Sequence, residues 1–142
     1  MKNQNNNLVF ALVSLFLVML LAVGVIAQSA GSNTWVSPSS GITVTVTSPA
    51  GSIVKDKVVY KFEGTGKNDA PKGTGKTDPA PVPTSCPRDP KTEALYSETK
   101  NIKDKDGKTI AKIKIVRNVD CTTHSMTILD EKGNNPITLT RR

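Results

Sequence analysis

The sequence predicts a small all-β domain, made of hairpins in a sandwich-like arrangement and preceded by one N-terminal hydrophobic helix. Three observations carry this. Ile42, Val44 and Val46 alternate with Thr43, Thr45 and Thr47, and Ile110, Ile113 and Ile115 are interleaved with Lys112 and Lys114, the signature of half-buried strands. Asp106-Gly107 and Gly133-Asn134 punctuate such runs as turns. Nothing after Gln28 shows a helical period.

The first element is the helix. Leu8 to Ala27 carries no charge, and Ser14 is its only polar interruption. At about 1.5 Å per residue such a run can cross a hydrocarbon core of about 30 Å. Residues 1–30 therefore read either as a cleaved signal peptide, with a small-residue site at Val25-Ile26-Ala27 or Ala27-Gln28-Ser29, or as an uncleaved anchor through residues 8–27. The positive start favours the N-terminus inside and the rest outside, so the expected location is extracytoplasmic, anchored or secreted. No cysteine lies near Ala27, which excludes a lipoprotein anchor.

Residues 31–63 follow as a Ser-rich spacer holding Trp35 and then two strands, with Val58, Tyr60 and Phe62 on one face and Lys57 and Lys61 on the other. Residues 64–85 have no large apolar residue except Val82 and contain Gly-Thr-Gly-Lys twice. This composition predicts a flexible linker or an exposed insertion. The stretch contains Ala70-Pro-Lys-Gly-Thr-Gly-Lys-Thr77, which fits the relaxed phosphate-loop pattern. That pattern needs a buried strand before it and a helix starting at its lysine. Pro79, Pro81 and Pro83 forbid such a helix, so no nucleotide site is expected.

Residues 86–142 read as a disulfide-closed β domain. Thr92 to Asn101 is ambiguous; Thr109 to Arg117 is a strand, and Met126 and Ile128 share the inner face of the next, with His124 a candidate for the same face but preferred as a surface or edge residue. Ile137-Thr138-Leu139 ends the fold. Residues 42–62 and 86–139 could form two units or one sheet structure carrying the Gly/Pro segment. The two cysteines, Cys86 and Cys121, are an even count in a chain read as exported, and are expected to pair.

The C-terminal stretch resembles a domain-of-unknown-function family of small exported, mostly actinobacterial, proteins. The matching pieces are Cys86-Pro87-Arg88-Asp89-Pro90, Asp106-Gly107-Lys108, Ile110 to Ile115, and Asp120-Cys121-Thr122-Thr123. The family's second cysteine is missing near Glu93 to Leu95, Asn118 stands at its serine, and Ser125 stands at its tryptophan. The resemblance implies an exported, disulfide-containing β domain and no reaction. Residues 42–62 are more distantly similar to the opening strands of bacterial immunoglobulin-like domains.

No catalytic, cofactor or metal site is expected. His124 is the only histidine, and Cys121 with Cys86 supplies too few further ligands for the four of a structural zinc. A disulfide would also remove Cys121 as a nucleophile. Lys and Arg number 19 against 12 Asp and Glu, a net charge of +7. A basic exported chain is expected to meet an anionic wall polymer or lipid headgroups rather than nucleic acid. The expected function is a non-catalytic cell-envelope interaction or structural module whose protein partner the sequence does not name. The alternatives are a secreted enzyme inhibitor using Arg88 in the loop near Cys86, and an envelope enzyme.

Overall fold

The computed structural model describes residues 33–47 and 57–142. The apolar run at residues 8–27 and the turn following Thr47 lie outside the described residues. Among the described residues no helix is long and apolar enough to cross a membrane.

Nine strands form: β1 (Asn33–Ser37), β2 (Ile42–Thr47), β3 (Lys57–Thr65), β4 (Lys72–Lys76), β5 (Ala80–Pro81), β6 (Ser97–Lys103), β7 (Thr109–Arg117), β8 (Thr123–Leu129) and β9 (Ile137–Arg141). The fold is all-β. It is not a sandwich of two sheets. Eight strands run antiparallel in the circular order β1-β2-β3-β4-β6-β7-β8-β9, and β9 returns to β1. This is an up-and-down barrel, which closes the sheet on itself and leaves no free edge. β5 lies beside the start of β3, with Ala80 opposite Val58.

An eight-stranded barrel is just wide enough for its interior to be filled by side chains. Here Ile42, Val44, Phe62, Ile102, Ile113, Ile115, Met126, Ile128 and Leu139 fill it as one cluster. The cross-strand pairs Val44↔Phe62, Ile113↔Ile128 and Met126↔Leu139 put these residues on one face, as period-two alternation requires.

Two further sequence expectations change. The spacer contains β1, whose Trp35 points inward opposite Val44. The segment 64–85, expected as a linker or insertion, is part of the wall: it ends β3, makes a short 3-10 turn at Lys67–Asp69, and supplies β4 and β5. Residues 42–65 and 97–141 consequently share one barrel. The reason is glycine. A Cβ on Gly75 would lie 2.7 Å from the Lys103 carbonyl and 2.9 Å from Ile102, so only glycine lets β4 approach β6 this closely.

His124 lies at the surface, the place preferred for it over the inner face. The register shifts between Val116↔Ser125 and Arg117↔Thr123. This bulge leaves His124 unpaired and exposed, while Met126 stays buried.

Candidate functional site

The charges are not evenly spread around the barrel. Every lysine in a strand belongs to β3, β4, β6 or β7, which are consecutive around the wall. The other half, β8-β9-β1-β2, has no lysine and turns threonines outward, including the pairs Thr34↔Thr45 and Thr127↔Thr138.

On the lysine half, Lys61 stands directly opposite Lys76, and Lys76 directly opposite Lys103. Like charges opposite one another across a sheet are destabilising by a few tenths to about 1 kcal/mol. Of these three, Lys103 alone has a close acidic partner among the described residues, Asp78 at 2.6 Å, in an exposed pair that contributes little. Lys61, Lys76, Lys103 and Lys105 surround an open groove of about 530 Å³, shared with Glu63 and Asp104. The Asp104 carboxylate is already engaged, since it accepts the backbone N–H groups of Asp106 and Lys108, each at 2.9 Å.

A second feature lies at one end of the barrel. The alternation Ala111, Ile113, Ile115 continues into Arg117, which is 3 % exposed. Its Nε and Nη2 donate to Glu98 Oε1 at 3.0 and 2.7 Å, and Nη2 also donates to the Tyr60 hydroxyl at 3.0 Å. Its Nη1 donates to the Cys121 carbonyl at 3.2 Å. Glu98 also pairs with Lys100 at 3.0 Å. Burial alone would lower the Arg117 pKa, but the hydrogen bonds to Glu98 and Tyr60 outweigh it and hold the guanidinium above its ordinary value. Burial dominates at Tyr60 and raises its phenol, against the opposing pull of Arg117, so the ring stays protonated at neutral pH.

This network lies where the wall is weakest. β4 and β6 share a single register pair, Lys76↔Lys103. Beyond it come Pro79, Pro81 and Pro83. A strand with proline at every second residue lacks donors along one edge and can pair through the other only. β5 uses that one edge on β3.

Next to Arg117 is a cavity of about 280 Å³, lined by Trp35, Val46, Val58, Tyr60 and Met126 with Arg117 and Arg141. Its rim carries Cys121, which is bonded to Cys86 with Cα atoms 5.3 Å apart. The two cysteines singled out in the sequence are therefore brought together, and Cys86 is buried. Arg88 projects from an exposed loop, which Asp89 stiffens by accepting the N–H groups of Lys91 and Thr92 at 2.7 and 3.1 Å.

His124 joins neither feature. Among the described residues no three His, Cys, Asp or Glu side chains gather at metal-binding range. The phosphate-loop look-alike is strand β4, and no helix starts at its lysine. Tyr60 is placed inward by its alternation with Val58 and Phe62, while Glu98, Lys100 and Arg117 are not predicted as site residues; the inward parity of Arg117 after Ile115 is the signal that points to it. Comparison with protein-family models, with curated proteins and with solved structures gave no match to this chain.

Proposed function

We propose that the chain is a non-catalytic, exported cell-envelope module that holds an anionic polymer against the lysine half of its barrel. The observation that carries this reading is the row Lys61–Lys76–Lys103, three like charges set opposite one another where the fold gains nothing from them. A polyanion lying across the strands would neutralise all three. The Cys86–Cys121 bond suits an oxidising compartment, and the apolar run at residues 8–27 suits export or anchoring. The resemblance of the C-terminal stretch to small exported domains points the same way.

The test is co-sedimentation of the full chain with a polyglycerol-phosphate polymer across a salt series. Binding is expected to weaken as salt shortens the screening length. Charge reversal in Lys76→Glu should weaken it by roughly tenfold or more, at about 1 kcal/mol per lysine near a charged surface. Equal binding by K76E would refute the reading. Binding to anionic vesicles but not to the polymer would move the partner to lipid headgroups.

The stiffened loop at Arg88 favours a second reading, an inhibitor that presents Arg88 to a protease. Saturable inhibition of an arginine-specific protease, lost in Arg88→Ala, would support it.

A further inference from the structure

The lysine wall does not account for the cavity at the barrel end. We infer that this cavity is a binding site for a small monocarboxylate with a compact apolar body, such as an aromatic carboxylate.

The argument starts from unspent hydrogen-bond donors. Tyr60 is 2 % exposed, and its oxygen accepts a hydrogen bond from Arg117. A phenol can donate as well as accept. Its own proton cannot go back to a guanidinium, which accepts nothing, and no other partner for it is present among the described residues. Arg117 has five N–H groups. Four are used, by Glu98 twice, by Tyr60 and by Cys121, which leaves one on Nη1. A buried donor without an acceptor is costly. Tyr60 and Arg117 both line the cavity, so an acceptor there would satisfy two donors together.

The charge balance sets the ligand's sign. Arg117 and Arg141 are the charged residues of the lining, and no carboxylate faces the cavity. Two acids lie near but outside the lining: Glu98 already serves both Arg117 and Lys100, and Asp120 accepts from the Thr122 N–H and hydroxyl. Arg141 donates only to the neutral side chain of Asn33. Two carboxylates, Glu98 and Asp120, against Arg117, Arg141 and Lys100 leave this end of the barrel positive, and a monoanion would restore balance.

The rest of the lining sets the ligand's body. Trp35, Val46, Val58, Val82 and Met126 offer apolar surface. About 280 Å³ lies just below the usual range for ligand pockets, which begins near 300 Å³. That excludes long acyl chains and suits a single ring.

Trp35 is the only tryptophan and lines the cavity, so its fluorescence reports occupancy directly. The full oxidised chain, kept in uncharged maltoside micelles, would be titrated with benzoate, benzamide and acetate at neutral pH. Benzoate is expected to change Trp35 emission saturably. Benzamide, with the same ring and no charge, should give no saturable change over the same range. Acetate should bind at least tenfold more weakly. Arg141→Gln, at an exposed residue, should weaken benzoate about tenfold, the value of one charge-assisted hydrogen bond. Tyr60→Phe should weaken it as well. No saturable response to benzoate, an equal response to benzamide, or unchanged affinity in R141Q would each overturn the assignment. R141Q keeps the test decisive if Y60F fails to fold.

Discussion

Arg117 shows how one residue can be both a structural joint and part of a site. Its guanidinium reaches from β7 to Glu98 on β6 and to Tyr60 on β3, so it spans the part of the wall where β4 and β6 are not laddered together. Removing one partner of a buried pair leaves the other charge uncompensated and costs about 3–5 kcal/mol. Arg117→Ala is therefore expected to lower the unfolding free energy by about 3 kcal/mol in denaturant melts. Arg117→Lys should recover only part of it, because an ammonium cannot reproduce the forked contact. Lys76 presents the opposite case. Replacing it with threonine removes like-charge contacts to both Lys61 and Lys103. Lys76→Thr should raise stability by a few tenths of a kcal/mol up to about 1, while polyanion binding weakens. Lower stability in K76T would show that the row is not under electrostatic tension.

At the scale of elements, the last three hairpins reuse one turn. Gly107, Cys121 and Gly133 donate to the carbonyls of Asp104, Asn118 and Asp130, at 3.1, 2.9 and 3.0 Å. All three donors have positive φ, at 80°, 64° and 92°. Each is a tight turn followed by a left-handed residue, and only that last residue needs φ above zero. Cys121 thus occupies the place that glycine takes in the other two, a cost near 1–2 kcal/mol accepted where the disulfide must start. In the β8–β9 turn, the Asp130 carboxylate accepts from Asn134, Lys132 and Asn135, at 2.8, 3.0 and 2.9 Å. The backbone bond from Asn134 is the largest cause holding its pKa below the ordinary 3.8. A depressed carboxylate stabilises the fold above its unfolded pKa, and that contribution is lost as pH falls through the folded value. Thermal melts of Asp130→Asn should therefore show a shallower loss below about pH 4 than the parent. An unchanged acid limb would mean that the turn does not report on folding.

The same elements show what the sequence made legible. β2, β3, β7 and β8 announce themselves because large apolar side chains occupy most of their inward places. β4 does not, since its inward residues are Gly73 and Gly75 and an absent side chain leaves no period to see. β6 turns Glu98 and Lys100 toward Ile115 and Ile113, so its pattern reads as surface. β1 has five residues, with Trp35 and Ser37 as its buried pair, too short a run to stand out from a spacer. Of the chemistry, the cysteine pair followed from count alone, while the Tyr60–Arg117 contact joins residues 57 apart and needs the closed barrel to exist.

For the molecule as a whole, the disulfide closes a loop of 35 residues. In the chain-entropy account this stabilises the fold by about 3–4 kcal/mol. Reducing and alkylating the full chain should lower its stability by that amount in denaturant melts; a loss below about 1 kcal/mol would show that closure of the barrel already orders the loop. The strand that completes the wall is the last one. β9 pairs with β1, and the Arg142 N–H donates to the Thr34 carbonyl. A polypeptide is made, and where exported is threaded, from its N-terminus, and here β1 waits for β9, the most distant strand of the barrel along the chain, before its second edge is covered. Closure of the barrel consequently waits until Ile137–Arg141 has been made, with the slow kinetics of a fold dominated by distant contacts. A nascent chain stalled before Ile137 leaves one edge of β1 and one edge of β8 uncovered, two open edges available to chaperones, to proteases or to a second unfinished copy.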